Sequence, residues 1–221
     1  MKQKTIVLLS AGLDSTVNCL VARRDHQVEC ALTFDYGQRA AVREIERSRE
    51  ICRRYNIEHK TVELPWLARI TDTALVNRDL NVPTGERVAI DDRQMSIQSA
   101  KAVWVPNRNG VFLNVAASFA EVLGVDRVVP GFNAEEAATF PDNSCEFLAA
   151  MDESLRYSTQ KRVKTLCFTA SMNKTEIAAL GREVGAPFDL MWPCYFAGDR
   201  PCGECESCLR FRRATSGFYE L

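Results

Sequence analysis

The run Ser10-Ala11-Gly12-Leu13-Asp14-Ser15-Thr16 places hydroxyls, a glycine and an acid between an apolar stretch, Ile6 to Leu9, and a helical pattern that starts at Asp14. A strand that ends in small residues and feeds a helix leaves backbone N–H groups unpaired at the positive end of the helix dipole, which suits an anion. Gly12 lets the backbone approach a phosphate closely. Ser10, Ser15 and Thr16 supply hydroxyl donors. Asp14 would repel a bare phosphate, so its presence suggests a magnesium ion between the two. The same residues also read as an ordinary capped helix, with Asp14 or Ser15 at the cap. A Walker loop is excluded, because no Gly-Lys-Ser/Thr follows.

A second group with chemistry is Cys194, Cys202, Cys205 and Cys208, spaced C-x7-C-x2-C-x2-C. Two Cys-x-x-Cys turns and one upstream thiol suit a tetrahedral zinc ion, and an iron–sulfur cluster is the alternative the spacing leaves open. Arg210, Arg212 and Arg213 follow the last ligand, either offsetting thiolate charge or lying on a solvated helix face. The other cysteines of the nine, Cys19, Cys30, Cys52, Cys145 and Cys167, sit singly in apolar patterns and read as small buried hydrophobes.

Single residues complete the inventory. Arg108 and Asn109 open a helix and Lys174 stands in the first turn of another; a cation there opposes the dipole, so each is a candidate partner of an anion. Tyr36, Gln38 and Arg39 follow a strand at the end where ligands bind. His26 and His59 are isolated and read as surface residues. Trp66, Trp104 and Trp192 read as packing residues, and Phe140 is a possible stacking surface.

The elements that must hold these residues alternate. Strands are expected at "KTIVLLS", "VECALTFDYG", "HKTVELP" and "DRVVPGF", the last ending in Gly131. Between and after them come helices at "DSTVNCLVARR", "RAAVREIERSREICRRY", "GVFLNVAASFAEVLG", "CEFLAAMDESLRY" and "NKTEIAALGREVG". In the last, Asn173 and Glu176 form a capping-box pattern and Gly185 stops the helix. Alternation predicts an α/β fold with a doubly wound, mainly parallel sheet, whose ligands bind at the carboxyl ends of the strands, after Leu9, Phe34 and Val129. Residues 76–104 are polar and aperiodic, and read as a lid or a disordered segment. The expected domains are residues 1–190, carrying the anion loop, and a small metal-binding segment, residues 191–221.

Composition suits one compact soluble domain, with room for a small appendage: 221 residues, 46% apolar and 26% charged, with a formal net charge of −1. That balance argues against a general nucleic-acid binder. No apolar run approaches the ~20 residues of a membrane span, and the N-terminal apolar run is too short for a secretory leader. The expectation is a cytoplasmic protein.

"SAGLDS" resembles the Ser-Gly-Gly-x-Asp-Ser loop of the ATP pyrophosphatase superfamily. "FDYGQR", "VPNRN", "FPDNSCEFLAAM", "NKTEIAALG" and "CGECESC" occur in the order found in 7-cyano-7-deazaguanine synthases, and the resemblance spans essentially the whole chain. It implies an adenine nucleotide alpha-hydrolase-like fold with a C-terminal zinc-binding subdomain. It also implies conversion of 7-carboxy-7-deazaguanine and ammonia to the nitrile, with ATP cleaved to AMP and pyrophosphate. On this resemblance ATP is held by residues 9–17 (Leu9, Ser10, Ala11, Gly12, Leu13, Asp14, Ser15, Thr16, Val17) and Phe34. Asp14, Ser15, Arg108 and Lys174 act on the reaction. Tyr36, Gln38, Arg39, Asn109, Phe140 and Asp142 hold the substrate, Asp142 at the amino edge of its guanine-like ring. Mg2+ accompanies ATP, structural Zn2+ binds the four cysteines, and the enzyme is a homodimer. A tRNA-thiolating relative with an iron–sulfur cluster is the second reading, and a non-catalytic zinc module the third. There are departures. Ala11 replaces the second glycine of the loop and is expected to keep a negative φ. Ala40 replaces the histidine of "DYGQRH". Phe140, Asn143 and Ser144 stand where Tyr, Cys and Arg are usual, which puts the substrate, not the ATP chemistry, in question.

Overall fold

A computed structural model describes residues 2–221. Its sheet has five parallel strands in the order β3-β2-β1-β4-β5: β1 (Lys4–Leu8), β2 (Gln27–Asp35), β3 (His59–Glu63), β4 (Arg127–Val129) and β5 (Lys164–Thr165). Successive residues of β1 feed opposite cores, because side chains alternate across a sheet. Ile6 and Leu8 join Leu113, Ala116 and Ala120 of α5 (Arg108–Leu123) and Leu148, Met151 and Leu155 of α7 (Cys145–Ser158). Val7 joins Cys19 and Ala22 of α1 (Leu13–Asp25) and Ile51 and Cys52 of α2 (Ala41–Tyr55). Burial on both faces explains why β1 reads as a continuous apolar run rather than an alternating one.

The chain leaves β1 toward one face and β4 toward the other. The carboxyl ends of these two neighbours form the switch-point crevice where sheets of this kind bind ligands. The crevice floor is tight. Gly131 crosses so close to the start of α1 that a Cβ there would lie 2.5 Å from the Ser15 Cα and N atoms.

Several expectations need correction. Residues 76–104 hold a 3-10 turn, Gly85–Arg87, and a helix, α4 (Arg93–Val103), capped by Asp92, which accepts from the backbone N–H of Gln94 and Met95. Long-range contacts order the segment: Ser99 donates to Glu206, the Thr84 backbone bridges to Cys205, and Val82 and Val103 are buried in the core. The strand at "DRVVPGF" stops at Val129, and the two-residue β5 is too short to leave a pattern. A short helix, α3 (Pro65–Ile70), also had no periodic signal. Cys145 is exposed on the first turn of α7 rather than buried. His59 is half-buried and lies 2.8 Å from the Thr33 hydroxyl, and His26 packs on Phe168, so neither is a plain surface residue.

Gly131→Ala is expected to cost about 3 kcal/mol or more, the upper end of ordinary overpacking, because the obstacle is backbone rather than a flexible side chain. Gly185→Ala meets nothing within 4 Å but sits at φ +69°, and should cost only about 1 kcal/mol from the left-handed conformation. Chemical denaturation of the two variants side by side checks the order.

Candidate functional site

The crevice opens into a cleft of about 1160 Å³, counting the space at its mouth. One wall is the loop after β1: Leu9, Ser10, Gly12, Leu13, Asp14 and Ser15. Gly12 caps α1 with extended backbone and offers no side-chain cap, so the first N–H groups of the helix remain available to a ligand. The Ser15 hydroxyl fixes the turn: it accepts from the Ser10 N–H at 3.2 Å and donates to the Gly12 carbonyl at 3.2 Å.

Ala11 holds φ +57°, not the negative φ expected from its type. Its methyl is turned into the core beside Val129 and Trp192, and its carbonyl accepts from the Trp192 N–H at 2.9 Å. Core packing and this hydrogen bond hold an alanine where glycine is the easier residue.

Lys174, the first residue of α8 (Lys174–Glu183), is buried and reaches two acids: Asp14, and Glu136 of α6 (Ala134–Ala137) at 2.7 Å. Burial opposes the Lys174 charge, but Asp14 and Glu136 outweigh it and hold the ammonium above the usual lysine range. Burial pushes the Asp14 carboxyl up to about 6 against the pull of Lys174. Asn133 donates to Asp14 Oδ2 at 3.2 Å, while Oδ1 is buried with no partner among the described residues. The orphaned Asp14 oxygen is a donor that would fit a divalent cation, and the free N–H groups of α1 would fit an anion.

Across the cleft stand Phe34, Tyr36, Glu44, Arg108, Asn109 and Phe112. Arg108 faces the Tyr36 hydroxyl at 3.4 Å. Burial opposes its charge, but Tyr36, Asp142 and Glu136 carry its pKa above the usual range. No ion pair engages it among the described residues, so it remains free for an anionic ligand. Asn109 donates to the Asp142 carbonyl at 3.2 Å.

The remaining predicted residues lie behind this surface. Thr16 and Val17 are buried in α1. Gln38 is buried and props the wall. Arg39 donates to the carbonyls of Ala74, Asn77 and Leu80, a role in ordering residues 74–80. Phe140 stacks on Trp104 with ring centroids 5.8 Å apart. Asp142 is half-buried, and its neighbour Asn143 lines the cleft in its place. Reasoning from sequence missed Glu44, Phe112, Glu136 and Tyr195, all on the cleft wall. Glu136 had a signal, since it follows a strand at the ligand-binding end. Glu44 and Phe112 had none, because each sits inside a helix pattern.

The four cysteines meet at the rim, their sulfurs all within 4.8 Å of one another, with Cys202 and Cys208 3.9 Å apart. Tetrahedral zinc with bonds of about 2.3 Å needs sulfurs separated by about 3.8 Å, so the donor set fits. Backbone N–H groups of Phe196 and Cys202 donate to Cys194, and those of Glu204 and Cys205 to Cys202, the outer-sphere pattern that settles thiolate charge. Cys205 caps α9 (Glu206–Thr215), and Ser207 and Phe211 of that helix line the cleft. Arg210 and Arg213 do not offset the sulfurs: Arg210 pairs with Glu206 and Glu135, and Arg213 with Glu135 and Asp91.

Residues 4–220 match the profile of the family described as queuosine biosynthesis protein QueC. The 7-cyano-7-deazaguanine synthase of Bdellovibrio bacteriovorus is 56% identical over 213 residues, covering 96% of this chain and 92% of that protein. The enzyme of the same name from Carboxydothermus hydrogenoformans is 51% identical over 215 residues, covering 97% and 99%. Among solved structures, a 4-thiouridine synthetase in an RNA complex with bound ATP superposes with a TM-score of 0.51 at 20% identity, over 94% of this chain and 48% of that one. That likeness is one of fold.

The strained loop makes a test. Ala11→Gly relieves the left-handed conformation, worth about 1–2 kcal/mol, and removes a buried methyl, worth about 0.8 kcal/mol. It should therefore be at least as stable as the parent. Ala11→Val, β-branched at positive φ, should be the least stable of the three. Denaturation midpoints in the order Gly, Ala, Val support the geometry, and a Val variant as stable as the parent contradicts it.

Proposed function

Since the chain belongs to the queuosine biosynthesis protein QueC family, we propose that it is a cytoplasmic, homodimeric ligase. It converts 7-carboxy-7-deazaguanine and ammonia to 7-cyano-7-deazaguanine, using ATP and releasing AMP and pyrophosphate. The full-length identity to synthases of that name supports the substrate. No helix among the described residues is long and apolar enough to cross a membrane. The exposed Trp66 and Ile70 of α3 offer an apolar surface to a second copy.

The observation that carries the reading is the charge layout of the cleft. One end has free helix N–H groups and the Asp14–Lys174–Glu136 cluster; the other has the unpaired Arg108. A carboxylate resists ammonia because its oxygen leaves poorly, and transfer of AMP onto that oxygen makes it a good leaving group. In this reading the N-terminus of α1 and Lys174 hold the phosphates, and Arg108 holds the carboxylate against the α-phosphorus, so catalysis is positioning plus electrostatics. Mg2+ held by Asp14 would neutralise charge on the departing pyrophosphate. The amide formed first is activated at its remaining oxygen in the same way, and loss of AMP with the nitrogen's protons yields the nitrile. Zn2+ on the four cysteines leaves no open position, and its role is structural.

The fate of ATP tests this. Products should be AMP and pyrophosphate in equal amounts, a pair for each oxygen expelled; stoichiometric ADP and phosphate would overturn the reading. Asp14→Asn keeps the shape and removes the charge, and turnover should fall about 100-fold or more with folding little changed.

Metal analysis should find about one zinc per chain, and Cys205→Ser should lose metal and solubility together. A well-folded, fully active, metal-free Cys205→Ser protein contradicts the zinc role, and visible absorbance would favour iron–sulfur.

A further inference from the structure

We propose that Glu44, on the first turn of α2, is the ammonium-binding residue and the proton acceptor for carbon–nitrogen bond formation. The inference rests on the adenylating reading above and supplies a group for the half of that reaction which the phosphate loop does not serve.

Three carboxylates line the cleft: Asp14, Glu44 and Glu136. Lys174 contacts two of them, Asp14 and Glu136. Glu44 is half-buried at the wall, and among the described residues no lysine or arginine pairs with it. A carboxylate withdrawn from water without a partner is costly unless it is protonated or awaits a cation. Its setting is ordered. Gln38 accepts from the Tyr36 N–H at 2.9 Å and donates to the Phe34 carbonyl at 2.9 Å and to Glu44 Oε2 at 2.8 Å. That fixes one carboxylate oxygen and leaves the other available. The neighbouring wall is aromatic, from Phe34, Tyr36 and Phe112, and aromatic faces with a carboxylate suit a small cation. Arg108 is the free cation of the same wall. The two unpaired charges therefore complement the two ions the reaction must join, an ammonium and a carboxylate.

The step balances. Glu44 takes one proton from ammonium. The freed nitrogen lone pair forms the C–N bond to the acyl carbon, and the C–O bond to AMP breaks with its electron pair on AMP. The nitrogen loses its second proton to solvent, giving the amide, and Glu44 returns its proton to solvent before the next turnover. The charged groups facing Glu44 are Arg108 of α5, which favours the carboxylate, and Asp35 at the end of β2, which opposes it; burial dominates and pushes the acid up to about 7. A base poised near the working pH is the efficient kind.

The test separates nucleophiles. Hydroxylamine is largely neutral at the assay pH and needs no base to free its lone pair. With Glu44→Gln, amide formation at subsaturating ammonium should fall about 100-fold or more, while hydroxamate formation stays near the parent rate. The parent's rate should rise and level off above about 7, whereas the variant, dependent on free ammonia, should show no break there and go on rising with pH. Equal losses with both nucleophiles would show that Glu44 only positions the ring, and no loss with ammonium would remove the assignment outright. Substrate-dependent exchange of labelled pyrophosphate into ATP is measured alongside. Its absence in the parent overturns the adenylating reading and this inference with it; its presence with an unaltered ammonium rate overturns Glu44 alone. Should Glu44→Gln fail to fold, Glu44→Asp, which retracts the carboxylate by one methylene, must show the same selective loss.

Discussion

The buried Lys174 ammonium between Asp14 and Glu136 is the contact on which the working end of this molecule depends. It joins the first turns of α1, α6 and α8, three elements that arrive from different crossovers. Each of its carboxylates would be expensive to bury alone, and it is removal of the Lys174 ammonium that would leave uncompensated charge. The adjacent Glu135 faces the other way. It accepts from the Lys174 backbone N–H at 2.8 Å and pairs with Arg210 at 2.9 Å, and also with Arg213. Two consecutive acids thus tie the cleft on one side and the cysteine helix on the other.

That link makes the C-terminal segment part of the cleft. Trp192, Cys194, Cys205 and Cys208 share a core with Val7 and Leu9 of the central strand and its following loop. Ser207 and Phe211 supply wall, and the Trp192 N–H holds the carbonyl of the strained Ala11. Metal binding at such a site is folding energy. An ion bound by the four cysteines would brace the segment that keeps Ala11 in its left-handed conformation and α9 against the cleft. Residues 76–104 extend the same assembly, since α4 and the Thr84 bridge dock on α9 and Cys205.

The cleft separates its charges by position. At the crevice between β1 and β4 the positive end of α1 meets the Asp14–Lys174–Glu136 cluster, and across it stand Arg108 and Glu44, neither with an ionic partner among the described residues. Native proteins rarely leave such groups unpaired beneath the surface unless a ligand supplies the partner. The aromatic wall between them lowers the local dielectric and strengthens whatever they bind.

The sequence by itself determined the alternating architecture, the loop that joins β1 to the uncapped start of α1, the capped α8 with Lys174 at its start, and the four-cysteine cluster. These are properties of near neighbours: strand-to-helix order, a capping box and ligand spacing are written within a few residues. Tertiary structure alone decided which residues share the cleft. Arg39 and Asp142 sit at the ligand end of the fold, yet one turns to backbone carbonyls and the other stands behind Asn143. Glu44 and Phe112 face the cavity although nothing near them in sequence marks them. The positive φ of Ala11 likewise follows from Trp192 and the core beneath, contacts far along the chain, and the order of residues 76–104 from long-range contacts with Glu206, Cys205 and the core. Side-chain direction across a crevice depends on how separate elements pack, and local pattern carries no record of that.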